Sequence, residues 1–159
     1  MMNPVYPTAK QFQQSVELIQ SSVEGERADA MFYDWLVNNI PTQNLTQNEV
    51  ESIRETIMSI KADELSHNSM FKNMYKQITK REAIVKDEMF IPPASFIEGI
   101  NKALNGELNA VKKYRTIMEG LPSNYYRDKV FNILTDELRH GSLYNHIYTT
   151  VLSAQGKSK

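Results

Sequence analysis

Apolar residues recur at alternating spacings of three and four positions in four separate stretches of the chain. This period is typical of the buried face of a packed α-helix. Near its middle, each stretch has Glu, or Glu followed three positions later by His, where the pattern requires an apolar residue. The stretches span residues 12–37, 50–78, 97–121 and 126–151, and the interrupting residues are Glu26, Glu64 with His67, Glu107, and Glu137 with His140.

The interrupting side chains are ionisable, and the pattern predicts that they point into the core. A buried carboxylate is strongly unfavourable unless it is paired or bound to a cation, and several carboxylates at one level repel each other. Glu and His three positions apart share a helix face and can bind one metal together. The sequence therefore predicts a two-metal site built from Glu26, Glu64, His67, Glu107, Glu137 and His140.

Capping and helix-breaking residues define four predicted helices, at about residues 9–39, 47–80, 94–119 and 124–152. Thr8 is a suitable N-cap, and Thr46 with Glu49 fits a capping box. Gly120 suits the left-handed position after a helix, and Pro122 prevents continuation. With 159 residues and no strand signals, the chain is predicted to form a single all-α domain over residues 1–159.

The connections between these helices predict their topology. The first and third connections are short, so each joins antiparallel neighbours. The segment 82–93 can extend to roughly 40 Å, enough to cross from one end of a bundle to the other. A four-helix bundle with one long crossover between its second and third helices is the ferritin-like arrangement.

An internal repeat supports a division into two halves. Gly25-Glu26 and Gly106-Glu107 are each followed by Tyr seven positions after the Glu, at Tyr33 and Tyr114. The segment 63–67 (Asp-Glu-Leu-Ser-His) matches the segment 136–140 (Asp-Glu-Leu-Arg-His). A two-fold relation between the halves would bring the matched segments together in the middle of the bundle.

Several neighbouring residues have alternative interpretations. Glu24 competes with Glu26 for the role on the first helix, but it lies off the apolar stripe and is expected to face solvent or a neighbouring subunit. Asp63 and Asp136 either hydrogen-bond an imidazole Nδ1 on the opposite helix or are solvated. Tyr33 and Tyr114 are expected to be core residues with satisfied hydroxyls rather than redox-active groups. His146 lies off the inward register and is expected on the surface or in an interface.

Composition excludes several functions. The 18 basic and 19 acidic residues give a net charge of −1 without a basic run, which argues against nucleic acid as a partner. No apolar run approaches about 18 residues and no secretory signal is recognisable, so no membrane partner and a cytoplasmic location are expected. The chain has no Cys, which excludes disulfides, thiol catalysis and Cys-bound iron. A metal must therefore be bound by carboxylate and imidazole, which suits iron or manganese and also admits zinc.

The paired motifs resemble the ferritin-like di-iron carboxylate superfamily, and most closely the bundle domain of rubrerythrin and its small relatives. The resemblance covers about residues 8–153 and implies two iron ions held by the six residues named above, with Glu64 and Glu137 bridging them. It implies reaction with peroxide or dioxygen, and a homodimer.

Two departures from that family pattern matter. Without a Cys-rich module, the electron donor must be a separate protein. Leu104 stands where rubrerythrin has an additional Glu ligand, which argues against classical rubrerythrin peroxidase chemistry. The alternatives are catalase-like peroxide disproportionation with manganese, and a non-catalytic bundle in which bound metal stabilises the fold or mediates interactions. The buried groups could also form a metal-free hydrogen-bonded network. A third possible activity, oxidation of an organic substrate, requires a pocket beside the metals, and the sequence has no substrate-specific motif.

Overall fold

The computed structural model describes residues 6–85 and 89–156, apart from the side chain of Glu26. These residues form five α-helices and no strand, which confirms the prediction of an all-α chain. The helices are α1 (Ala9–Ser21), α2 (Glu26–Asn38), α3 (Gln47–Thr79), α4 (Phe96–Gly120) and α5 (Asn124–Gly156). Among the described residues, no helix has both the length and the apolar character needed to span a membrane.

The capping residues of α1 and α3 act as the sequence predicts. The side chain of Thr8 accepts a hydrogen bond from the backbone of Gln11, and Thr46 accepts one from Glu49, each within a complete capping box. Helix α3 ends at Lys80, which has a left-handed backbone with φ of 60°. Helix α4 begins two positions later than predicted, after Ser95 as its N-cap.

The prediction of one continuous helix over residues 9–39 is wrong, because the chain leaves the helix at Ser22 and α2 begins at Glu26. The hydroxyl of Ser22 turns back and donates to the carbonyl of Leu18. The amide side chain of Asn68 accepts a hydrogen bond from the N–H of Glu24 at 3.0 Å and donates one to its carbonyl at 3.2 Å. A side chain of α3 thus satisfies backbone groups that a continuous helix would have paired internally.

Gly120 has a different role from the predicted one. It lies within α4, and no described glycine has a positive φ. A Cβ atom at this position would lie 2.1 Å from the hydroxyl of Ser15 and 2.3 Å from the carbonyl oxygen of Gln11. The hydroxyl of Ser15 donates to the carbonyl of Ile117 at 2.9 Å. Glycine is therefore required here for the close approach of α1 to α4 rather than for backbone conformation.

Contacts between helices fix their relative directions. Along α4, Ser15 of α1 pairs with Ile117, and Leu36 of α2 lies beside Gly99, so α1 and α2 run antiparallel to α4. Helix α3 is antiparallel to α5 through contacts between residues 63–67 and 136–140. A three-residue connection makes α4 antiparallel to α5 as well. Helices α3 and α4 consequently run in the same direction, so the end of α3 and the start of α4 lie at opposite ends of the bundle.

The core consists of two apolar clusters separated by a polar layer. One cluster includes Ile57, Ile100 and Ile147, and the other includes Ile19, Phe71 and Ile133. Along α3, α4 and α5 the Glu and His residues lie between the positions that enter the two clusters. The break between α1 and α2 falls at the same level, between Val23 of one cluster and Tyr33 of the other.

Candidate metal centre

The polar layer is a compact cluster of carboxylates and imidazoles from three helices. Helix α3 contributes Glu64 and His67, α4 contributes Glu107, and α5 contributes Glu137 and His140. Four of these residues are buried, and Glu64 has 24% of its side chain exposed. One potential ligand atom from each of Glu64, Glu107, Glu137 and His140 lies within 4.8 Å of the others. This buried cluster can hold a metal ion.

The two imidazoles direct the same ring nitrogen into the cluster. Nδ1 of His140 lies 3.0 Å from Glu64, 3.6 Å from Glu137 and 4.0 Å from Glu107. Nδ1 of His67 lies 3.1 Å from Glu137 and 3.4 Å from Glu64. The carboxylates of Glu64 and Glu137 therefore lie between the two imidazoles, whose ring centroids are 5.9 Å apart.

The other nitrogen of each imidazole faces an aspartate on the opposite helix. Nε2 of His67 lies 3.1 Å from Asp136, and Nε2 of His140 lies 3.0 Å from Asp63. The sequence left open whether these aspartates hydrogen-bond an imidazole on the opposite helix or are solvated. The structure shows the hydrogen bonds, but they involve Nε2 rather than the predicted Nδ1. Nδ1 is instead directed towards the cluster carboxylates. Arg139 also donates to Asp63.

Several buried polar atoms of the cluster have no hydrogen-bond partner among the described residues. They are Oε1 of Glu64, both carboxylate oxygens of Glu137, and Nδ1 of His67 and of His140. These atoms lie close together, but without hydrogen-bonding geometry. Buried polar groups are nearly always satisfied, so a convergent set of unsatisfied donor atoms requires an explanation. Oxygen and imidazole nitrogen atoms facing one small space match the donor set of a divalent metal site.

Without a cation, protons balance the charges of the cluster. Burial opposes charging of the imidazoles, but Glu137 and Glu64 outweigh burial and raise the pKa of His67, and likewise that of His140, to about 10. Burial and the neighbouring Glu137 raise the pKa of Glu107 to about 10. Burial also tends to raise the pKa of Glu137, but its interactions with His140 and His67 outweigh burial and lower this pKa to about 2. Metal binding must therefore displace protons from this site.

The region around the break between α1 and α2 places Glu24 near the cluster. Glu26 is the first residue of α2, but its side chain lies outside the described part of the structure, so its role as a ligand stays a prediction. Glu24, which was expected to face solvent or another subunit, lines a cavity together with Glu64, His67 and Glu107. Burial raises the pKa of Glu24, and Lys113 opposes this shift. The helix break thus brings Glu24 beside the cluster.

Three tyrosines surround the site. Tyr33 and Tyr114 are buried, as expected of core residues, and burial raises the pKa of each well above 10.0. Sequence reasoning did not single out Tyr144, which is fully buried; its hydroxyl interacts with that of Tyr33, but has no partner with good hydrogen-bonding geometry among the described residues. The signal was present, because Tyr144 follows Glu137 by seven positions, the same spacing as after Glu26 and Glu107. Asn68, Lys113 and Arg139 were also missed, since their roles depend on contacts between helices.

A cavity of about 540 Å³ opens beside the cluster. Glu64, His67, Glu107 and Glu137 line it together with Phe32, Tyr33, Phe71, Phe90 and Tyr114. The metal-binding groups are therefore accessible from a partly aromatic chamber.

Comparisons of the chain with protein families, curated proteins and solved structures found no match.

Proposed function

We propose that this chain is a ferritin-like dinuclear metal carboxylate protein that reacts with peroxide or dioxygen as a rubrerythrin-like oxidoreductase, with two iron ions as its cofactor. The observation that carries the proposal is the set of buried carboxylate and imidazole atoms that converge from three helices and lack a hydrogen-bond partner among the described residues. The parallel direction of α3 and α4, joined by a long crossover, supports the ferritin-like arrangement.

The chain's residues have distinct roles in this proposal. His140 and Glu107 would help to hold one metal ion, and His67 with the predicted ligand Glu26 would help to hold the other. Glu64 and Glu137 lie between the two imidazoles, so either carboxylate could contribute to both positions. When bound, the metal ions supply the electrons and the Lewis acidity needed to reduce the oxidant.

The surrounding groups orient and tune these ligands. Asp63 and Asp136 accept hydrogen bonds from the Nε2–H groups of the opposite imidazoles, and a proton kept at Nε2 leaves Nδ1 available to bind metal. The apolar clusters above and below the polar layer restrict the access of water along the bundle axis, so the cavity is the open side of the layer. Since the chain has no Cys, we propose that a separate protein supplies the electrons. A homodimer and a cytoplasmic location remain part of the proposal.

The first test is the metal content of protein purified without added metal, measured by elemental analysis, with the ultraviolet–visible spectrum recorded before and after peroxide. We expect about two irons per chain and an oxo-bridge absorption band that responds to peroxide. Steady peroxide consumption with a reductant would support the oxidoreductase. Manganese would indicate disproportionation of peroxide. Zinc alone, no metal after reconstitution, or an iron-loaded protein inert to both oxidants would contradict the proposal and favour a structural role.

A further inference from the structure

The cavity beside the cluster is much larger than peroxide or dioxygen requires. Its volume is about 540 Å³, whereas one water molecule occupies about 30 Å³ in the liquid. Pockets for small organic ligands have volumes of about 300–1,000 Å³. A site that admitted only peroxide or dioxygen would not need a chamber of this size.

The walls of the cavity suit an apolar molecule. Phe32, Phe71 and Tyr114 contribute aromatic surface, and the rings of Phe71 and Tyr114 are 5.0 Å apart. Met89 and Ile91 also line it, although 86% and 74% of their surfaces are exposed to solvent. An apolar ligand would cover surface that is otherwise in contact with water, which favours binding.

Lys113 supplies a positive charge inside this chamber. Its ammonium lies over the ring of Tyr114, 5.1 Å from the ring centroid. The side chain is partly buried, and its charge opposes the rise that burial causes in the pKa of Glu24. Burial lowers the pKa of Lys113, and the carboxylates of Glu24, Glu137 and Glu64 oppose this shift. A ligand anion in direct contact with the ammonium would add a charge-assisted hydrogen bond to this electrostatic stabilisation.

The wall near the cluster also leaves room for a ligand. Gly106 lines the cavity and immediately precedes Glu107, and a Cβ atom added there would meet no atom of the other described parts of the chain within 4 Å. The space over this turn of α4 is therefore open, directly beside a residue of the metal centre.

We propose that this cavity binds a small organic carboxylate, with its carboxylate on Lys113 and its apolar body against the aromatic walls, next to the cluster. If the carboxylate is a substrate, the inference rests on the proposed oxidoreductase function. Binding of the carboxylate does not depend on that function, so it can be tested on protein without metal.

Calorimetric titration of metal-free protein with 4-phenylbutyrate and with its uncharged counterpart 4-phenyl-1-butanol tests the inference. We expect the carboxylate to bind more tightly. Lys113→Gln is expected to weaken carboxylate binding about tenfold or more and to leave alcohol binding unchanged. Lys112→Gln is the matched control, because it removes the same charge from a neighbouring position that does not line the cavity. Gly106→Leu fills the open space and is expected to weaken both ligands.

Absence of binding, equal affinities for both probes, or carboxylate binding that is insensitive to Lys113→Gln and Gly106→Leu would overturn the inference. So would binding that occurs only in metal-loaded protein and ignores Lys113, since the carboxylate would then be a direct metal ligand. The peroxide assay is independent of these titrations. If peroxide is consumed but neither probe binds, only this inference fails; if the probe binds but the protein takes up no metal, the proposed function fails.

Discussion

The carboxylate of Asp63 on α3 lies 3.0 Å from Nε2 of His140 on α5, and Asp136 on α5 lies 3.1 Å from Nε2 of His67 on α3. The two motifs therefore stabilise each other reciprocally. A neutral imidazole carries one proton, so a proton held at Nε2 leaves the Nδ1 lone pair directed at the cluster. The orientations of His67 and His140 therefore depend on two aspartates that lie on the side of each imidazole away from the cluster centre.

Replacement of these aspartates is expected to weaken metal binding. Asp63→Asn and Asp136→Asn should each lower metal affinity about 10- to 100-fold, because an amide no longer fixes the Nε2-protonated imidazole. Competition with a chromophoric chelator measures the affinity. Asp34→Asn is the control, since it removes an aspartate that is ion-paired with Lys61 away from the cluster. Affinity unchanged in both Asn variants would show that the pairing does not orient the ligands.

Metal loading is expected to raise the melting temperature, and the rise should depend on the cluster. Binding to the folded state alone stabilises it by about 2.7 kcal/mol at a free metal concentration 100 times the Kd. Glu137→Gln should abolish most of the shift, because it removes a buried carboxylate that contacts both imidazoles. Glu119→Gln, on the exposed surface of α4, should retain it. Differential scanning calorimetry with and without metal makes the comparison, and a shift of equal size in the two variants would locate the metal elsewhere.

The metal-free protein should lose stability as the pH rises from 6.5 to 10. Despite burial, the cluster carboxylates raise the pKa of His67 and His140 from 6.5 to about 10 in the folded state. Burial, together with Glu137, raises the pKa of Glu107 from 4.5 to about 10. The folded state therefore binds more protons than the unfolded state across this window. The free energy of unfolding must then fall with increasing pH, and the contribution of the imidazoles is fully present only below pH 6.5.

Urea denaturation of metal-free protein at several pH values across this window measures the effect. Loaded protein should show a flatter profile, since bound cations replace the protons. A free energy of unfolding that rises with pH in metal-free protein would contradict the charge distribution described for the cluster.

The two glycines of α4 should respond oppositely to alanine. Gly120→Ala is expected to destabilise the protein by about 1–3 kcal/mol, because the added Cβ collides with α1. Gly106→Ala places its Cβ in open space and is expected to stabilise the helix by about 0.5–1 kcal/mol. Denaturant unfolding of the two variants measures both effects. Similar changes in both would mean that α1 does not approach α4 closely at Gly120.

Asn68 is expected to stabilise the break between α1 and α2. Asn68→Ala removes two hydrogen bonds to the backbone of Glu24, each worth about 0.5–1.5 kcal/mol. Chemical denaturation should therefore show a loss of roughly 1–3 kcal/mol. Asn105→Ala, in which the lost bonds lie on an exposed turn of α4, is the control. If Asn105→Ala destabilised the protein equally, the role of Asn68 at the break would be disproved.

The sequence determined which residues enter the core and which interrupt it. The helical period fixes the register of every side chain on its own helix, so the period alone assigned Glu64 with His67 and Glu137 with His140 to inward faces. Local capping chemistry similarly defined the starts of α1 and α3, because the Thr and Gln or Glu side chains bond to backbone groups three residues away. These features depend on interactions within a single helix.

The tertiary structure decided what happens where helices meet. The break at Ser22–Gly25 depends on the amide of Asn68 across the interface, so the apolar period alone predicted a continuous helix. Which imidazole nitrogen bonds to Asp63 or Asp136 depends on the distance between α3 and α5. The need for glycine at position 120 depends in the same way on the distance between α1 and α4. Periodicity specifies a face of one helix but not the atoms on the opposing helix. The chamber beside the cluster is lined by residues of α2, α3, α4 and α5, so it exists only after these helices have packed.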